Sequence, residues 1–263
     1  MTEAQSNFND GAAYERFMGR WSRLAGRQFL TWLDAPKGKS WLDVGCGNGA
    51  FTEEIFSLAE PLAVTGIDTS EGQLEFARQR AGTPGAKYQI GAATPLPFAD
   101  ASFDVTDMAL VLTFLPDPAK AVAEMVRVTK PGGIVASYMW DLPAGGVPLS
   151  FLMKTMRQMG FPALAPPNAA FSSMEPKRQL WREAGLKSIE STVIRITVTF
   201  TDFEDFWQSN TLPLGPHAKF IKDMSEEAKV ELRARLQENL PIASDGRIAY
   251  ECFANAVKGI RPA

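Results

Sequence analysis

Leu42-Asp43-Val44-Gly45-Cys46-Gly47-Asn48-Gly49-Ala50 reads as a short strand that feeds a glycine turn, which in turn feeds a helix. Trp41 to Val44 is apolar and short, and Ala50 to Ala59 has helical spacing. Working outward, Leu62 to Asp68 is a second strand and Ser70 to Ala81 a second helix with Ser70 at its N-cap. Lys87–Ile90 and Phe103–Leu110 read as the third and fourth strands. Asp117 caps the next helix and Pro118 opens it, with Ala121, Met125 and Val128 as its apolar stripe. Lys130-Pro131-Gly132-Gly133 breaks that helix ahead of a fifth strand, Ile134–Trp140. Strands that alternate with helices build βαβ units and a parallel sheet.

The flanks extend this core. On the amino side, Tyr14, Phe17, Met18, Trp21 and Leu24 recur at helical spacing within Gly11–Asp34. On the carboxyl side, Asp141–Asn168 is rich in Pro and Gly around one apolar segment, Leu149–Met159, and Glu175–Ala184 is helical. Ser188–Phe200 alternates β-branched and polar residues as a partly exposed strand, Thr201–Ser244 is mostly helical, and Arg247–Val257 is a last strand. The expected fold is α/β: a Rossmann-like, doubly wound, seven-stranded, mostly parallel sheet, its last two strands paired at one edge, with helical insertions forming a lid. One domain, 1–263, then divides into an N-terminal helical cap (1–39), a cofactor-binding core (40–141), a lid insertion (142–173), a helix and sixth strand (174–200), a helical insertion (201–246), and a last strand and tail (247–263).

Composition narrows the function. With 263 residues, 45% hydrophobic content and a net charge of −3, the chain fits an ordinary globular protein able to bury a full core. It has no run of like charges and no clustered Lys and Arg, which argues against a nucleic-acid surface. No apolar run is long enough to span a membrane, and Met1–Asp10 carries no signal-peptide core. Two distant cysteines, Cys46 and Cys252, suggest a reducing, cytoplasmic setting. One histidine, His217, and no zinc-like spacing lead to the expectation of no metal. The oligomeric state is not legible.

Glycines in the turn let a ligand approach the backbone, and they admit positive φ. The same residues satisfy Gly-x-Gly-x-x-Ala, the dinucleotide fingerprint, so a nicotinamide cofactor and an oxidoreductase stay open as an alternative. Charge favours a cationic ligand. Asp43 stands two residues before the first glycine, and no Lys or Arg occurs between Trp41 and Ile67. A pyrophosphate would be repelled there, whereas the α-ammonium and sulfonium of S-adenosylmethionine (SAM) would be favoured. Asp68 ends the second strand about 20 residues on, where a carboxylate accepts ribose hydroxyls of either nucleoside. The plain alternatives are a turn that only joins strand to helix and a solvent-facing Asp.

This segment resembles motif I of class I SAM-dependent methyltransferases. Gly91-Ala92-Ala93-Thr94-Pro95-Leu96-Pro97-Phe98, Ser102-Phe103-Asp104 and Lys130-Pro131-Gly132-Gly133 follow in the order of the branch similar to ubiquinone/menaquinone-type methyltransferases. The resemblance covers Ser40 to Tyr138. It implies that Asp43, Gly45, Cys46 and Gly47 line the methionine end and that Asp68 holds the ribose with Thr69 and Gln73 close by. It also implies that Leu110 passes under the methionine portion. Ala92 stands where the family usually has an Asp for the adenine amino group, which leaves adenine to backbone near Ala92 and Ala93. Phe114 stands where a His is frequent.

Methyl transfer from a sulfonium needs alignment in a dry pocket more than a fixed catalytic signature. Thr113-Phe114-Leu115-Pro116 is not the Asn/Asp-Pro-Pro-aromatic motif of amino-group methylases, and no Pro-Cys nucleophile is present. A small organic acceptor is the remaining expectation, with a non-catalytic SAM-binding module as a further alternative. Weak candidates for a base are His217, in a loop where a surface role is the plain reading, and Asp141, whose plain reading is a turn former. Tyr14, Trp21, Phe114, Trp140 and Trp207 are candidates for an aromatic pocket lining, against a core role for each.

Overall fold

The structure, a computed structural model, describes residues 19–162, 165–212 and 217–263. Tyr14 and the first third of the expected amino-terminal helix, residues 11–18, lie outside the described residues. Strands β1 (Ser40–Val44), β2 (Ala63–Asp68), β3 (Lys87–Ile90), β4 (Phe103–Ala109), β5 (Thr129–Trp140), β6 (Lys187–Phe200) and β7 (Ile248–Ile260) form one sheet. Helices α1 (Arg20–Leu33), α2 (Ala50–Ala59), α3 (Glu71–Arg78), α4 (Pro118–Val128) and α5 (Ser150–Gln158) are followed by α6 (Met174–Glu183), α7 (Phe203–Asn210), α8 (His217–Asp223) and α9 (Glu226–Asn239).

The strand order is β3-β2-β1-β4-β5-β7-β6. The first five strands are parallel, and β7 runs antiparallel between β5 and β6. The chain lays β1, β2 and β3 outward to one edge, then returns to place β4 on the other side of β1. That reversal opens a crevice at the carboxyl ends of β1 and β4, where open α/β sheets bind ligands. Residues alternate between two faces. Trp41, Val105, Ala136 and Tyr138 pack with Phe29 of α1 and Ile55 of α2. Leu42, Val44, Met108 and Val135 pack with Met125 of α4 and Trp181 of α6.

Local chemistry sets the boundaries. Ser70 Oγ accepts from Gln73 N at the start of α3, and Asp117 Oδ1 accepts from Lys120 N at the start of α4 with Pro118 behind it. Two strands run longer than their sequence suggests. β5 begins at Thr129 instead of Ile134 because the expected break is itself paired. Gly132 N donates to Arg261 O, and Arg261 N to Gly133 O. β7 likewise continues to Ile260 through pairing with β5.

The β6–β7 hairpin overshoots the sheet. β5 ends with Trp140 opposite Ala254, but β6 and β7 stay paired from Arg195↔Phe253 to Phe200↔Ile248. Those six pairs carry a ribbon about 20 Å past the ligand edge. Helices flank it. Trp21 of α1 meets Phe200 edge-on at 5.6 Å, Gln28 Nε2 donates to Arg195 O, and Phe151 of α5 meets Tyr250 at 4.8 Å. The insertion with α7, α8 and α9 hangs from the ribbon's tip, its Phe206, Ile221, Leu232 and Leu236 joining the core on the α1 side.

Candidate functional site

Gly45, Gly47 and Gly49 all have positive φ, at 76°, 50° and 76°. Each position needs it, because the turn must reverse direction within five residues between β1 and α2. Gly45 N and Cys46 N both donate to Ile67 O, which fixes the turn to the end of β2. A Cβ at Gly45 would lie 2.5 Å from Val111 Cγ2, so the loop and the β4 end touch through the missing side chain. A Cβ at Gly47 would meet nothing within 4 Å. Gly47 is therefore held by backbone conformation and faces open space, as a cradle for a ligand requires.

Asp68 closes the loop from the other side. Its Oδ2 accepts from Gly47 N at 3.0 Å and its Oδ1 from Ser70 N at 2.9 Å. Each carboxylate oxygen has a further lone-pair direction for a hydroxyl donor. Burial holds its pKa above the ordinary carboxylate range against the lowering effect of these backbone donors. Gly91 N donates to Asp68 O, which brings Ala92, exposed, and Ala93, half-buried, beside the same strand end. Thr69 is exposed, and Gln73 is buried in the first turn of α3.

At the end of β4, Leu110 has φ 62° and donates its N–H to Tyr138 O at 2.9 Å. A left-handed leucine costs about 1 kcal/mol or more, and such strain concentrates where backbone is presented to a ligand. Asp43, Gly45, Cys46, Gly47, Asp68, Thr69, Gln73, Ala92, Ala93 and Leu110 thus lie along the carboxyl ends of β1, β2, β3 and β4. Asp43, Cys46 and Gln73 differ from the others in being buried. Asp43 accepts from Thr52 Oγ1 at 2.6 Å and is pushed upward in pKa by desolvation, with Asp68 adding to the effect. The Cys46 thiol is pushed well up by burial and by Asp43 and Asp68, which disfavours the thiolate.

Asp107 of β4 escaped the sequence reading. It is the register partner of Asp43 and fully buried. The signal was a carboxylate in the middle of an apolar strand, at the same alternation as Val105.

The expected substrate-side residues are not brought together as an open wall. Trp21 and Trp140 are buried in the core on the α1 side, and Trp21 meets Phe200 edge-on with the Arg20 guanidinium over both rings. Trp207 is half-buried under Arg233, whose guanidinium lies 4.7 Å from its ring centroid. Phe114 is exposed at the end of a 3-10 turn, Leu112–Phe114.

The base candidates read differently as well. His217 is not a surface loop residue. It opens α8, is 3% exposed, and its Nε2 lies 3.0 Å from Asn210 O. Burial holds its pKa down to about 4. Asp141 anchors a turn, accepting from Ala144 N, from Ser173 Oγ and from Asn255 Nδ2 at 2.7 Å. Among the described residues no group of three or more His, Cys, Asp and Glu is placed to hold a metal ion, and no helix is long and apolar enough to cross a membrane. Two cavities, of about 440 and 550 Å³, lie away from the glycine loop, beside Thr199 and Ile248 and beside Asp34 and Trp41 respectively.

Comparison with known proteins agrees with this geometry. Residues 42–137 match the family described as a methyltransferase domain. The demethylmenaquinone methyltransferase of Renibacterium salmoninarum is 35% identical over 146 residues, which cover 56% of this chain and 58% of that protein. A SAM-dependent methyltransferase of Thermotoga maritima has the same fold, with a TM-score of 0.59 at 21% identity over 98% of this chain and 100% of that one. So does the Haemonchus contortus phosphoethanolamine N-methyltransferase 2, solved with phosphomonomethylethanolamine and S-adenosylhomocysteine. Its TM-score is 0.59 at 20% identity over 96% of this chain and 57% of that one. The chain spans about half the length of the curated relatives it matches. The glycine loop, both central strands and most of β5 therefore lie within the stretch that is similar to the methyltransferase domain model.

Proposed function

We propose that this protein transfers a methyl group from SAM to a small organic acceptor. The observation that carries the reading is the cradle at the β1/β4 reversal. Three glycines with positive φ leave open space at Gly47, the Asp68 carboxylate adjoins it, and no cation lies between Trp41 and Ile67. The methyltransferase family match and a neighbour holding S-adenosylhomocysteine support the same reading. Bound SAM supplies an activated methyl on a sulfonium.

The chain's own residues bind, orient and enclose. Asp68 accepts the ribose hydroxyls, flanked by Thr69 and Gln73. Backbone at Ala92 and Ala93 receives the adenine. Gly45, Gly47 and the strained Leu110 backbone present polar groups to the amino-acid end. Segments 142–162, 165–173, 201–212 and 217–246, with the ribbon and α1, roof the core of residues 40–141 and exclude water. Acceptor alignment in that dry space provides the rate, with no dedicated base.

Calorimetric titration with SAM, S-adenosylhomocysteine, NAD and NADP tests the donor. Binding of a nicotinamide cofactor without SAM would overturn the reading. Screening an acceptor library for S-adenosylhomocysteine release then tests catalysis. SAM binding with no turnover on any small acceptor would leave a binding module instead of an enzyme.

A further inference from the structure

β1 and β4 meet at the reversal of the sheet, and Asp43 and Asp107 are register partners across it. Partnered residues of a parallel pair point to the same face, with backbones about 4.8 Å apart. Both side chains are fully buried. Of their four oxygens only Asp43 Oδ2 has a partner, Thr52 Oγ1. Asp43 Oδ1 and both oxygens of Asp107 have no hydrogen-bond partner among the described residues. Two buried carboxylates this close cannot both stay ionised without a cation, and among the described residues no Lys or Arg is hydrogen-bonded or ion-paired to them. Of the cations of the overlying α1, Arg23 and Arg27 are turned to Glu53 and Glu54 of α2, and Arg20 lies over the Trp21 and Phe200 rings near Asp205. The other groups around the pair are Asp68 at the end of β2, the Cys46 thiol, Tyr88 of β3 and Tyr138 of β5. None of these brings positive charge.

We propose that Asp43 and Asp107 share one proton in the free protein, and that a cationic methyl donor bound at the adjoining glycine loop expels it. The inference rests on the donor reading above. Desolvation pushes both carboxyls above their ordinary range, and each charge raises the other, as for any two acids that share a site. Thr52 donates to Asp43, which marks Asp43 as the member that keeps the negative charge. Asp107 carries the proton and is a positioning residue that acts through Asp43. When the donor's positive charge arrives two residues beyond Asp43, the second carboxyl ionises and its proton leaves to solvent. The pair thereby becomes the counter-charge for a cation. SAM has one net positive charge and S-adenosylhomocysteine none, so the pair distinguishes donor from product by charge and favours product release.

The test counts protons. SAM is titrated calorimetrically into the full-length protein near neutral pH, in buffers of different ionisation enthalpy. Wild type is expected to release up to about one proton per SAM bound, and distinctly less with S-adenosylhomocysteine. Asp107→Asn keeps the shape and removes the shared proton, so its binding enthalpy should become independent of buffer. Infrared spectra of the free wild-type protein should show the band of a buried protonated carboxyl near neutral pH, absent in Asp107→Asn. The same variant should raise the melting temperature more at about pH 8 than at about pH 5, because repulsion between the acids grows as pH rises. Binding of SAM with no proton release, equal release with S-adenosylhomocysteine, or unchanged release in Asp107→Asn would each overturn the proposal. If SAM does not bind at all, the donor reading and the linkage fall together, and the infrared band alone decides whether the pair holds a proton.

Discussion

Replacing Gly45 with alanine tests whether the glycine loop and the β4 end are locked together as described. Two costs add. At φ 76° an L-residue pays about 1–2 kcal/mol that glycine does not. The new Cβ would also sit 2.5 Å from Val111 Cγ2 and 3.0 Å from its Cγ1. Relieving that overlap forces backbone or rotamer shifts worth about 1–3 kcal/mol. Gly45→Ala is therefore expected to destabilise by about 2–5 kcal/mol in urea unfolding followed by circular dichroism. Val111→Ala removes the obstructing methyls. Val111 is half-buried, so alone it should cost only about 1 kcal/mol. The double variant should lose only the dihedral part of the Gly45→Ala cost. A double-mutant cycle should then show about 1–3 kcal/mol of favourable coupling. Additive effects, or a Gly45→Ala protein as stable as wild type, would refute the contact and with it the proposed geometry of the cradle.

Three further expectations follow from the same structure. Asp68→Ala should weaken SAM binding by roughly 2–4 kcal/mol, because ribose hydroxyls lose a charged acceptor, while the fold survives; unchanged affinity with an intact fold would place the ribose elsewhere. His217 must stay neutral to remain buried, and its pKa is held down to about 4. The unfolded chain takes the proton first, so stability is full above about pH 6.5 and falls by roughly 3 kcal/mol as pH drops toward 4. Melting curves of wild type and His217→Gln across that range should diverge, and parallel curves would contradict the burial. Hydrogen exchange should slow in residues 11–34 and 141–170 when S-adenosylhomocysteine and an acceptor are both bound; exchange that ligands do not alter would remove the roof from the mechanism.

Between residues 40 and 140 the fold was legible because each boundary carries its own chemistry. Ser70 and Asp117 cap, Pro118 starts, and the glycines turn, and all of these act within a few residues. The glycine turn between β1 and α2 was legible for the same reason. Asp107 was not recognised, since its meaning depends on which strand lies beside β4, and that is decided by the crossover that returns β4 to β1. The strain at Leu110 is likewise invisible in a residue type that is ordinary in strands. Gly132 and Gly133 read as a break because their partner, Arg261, is far along the chain. His217 looked like a loop residue because four residues before it are Pro, Leu, Gly and Pro, whereas its burial comes from the tertiary packing of α7 and α8.

The overshooting β6–β7 hairpin has a consequence for how this molecule can change. A two-stranded ribbon is only marginally stable by itself. This one is a cantilever, rooted in the sheet by β5 and stiffened along its length by α1 and α5, and its tip carries residues 201–247. Substitutions, insertions or wholesale exchange at the tip leave the root register untouched, and the β1/β4 crevice lies on the far side of β5. The tip can thus vary in sequence while the core is left as it is, and a chimera that swaps only the tip should keep the pairing of β1 to β5 unchanged.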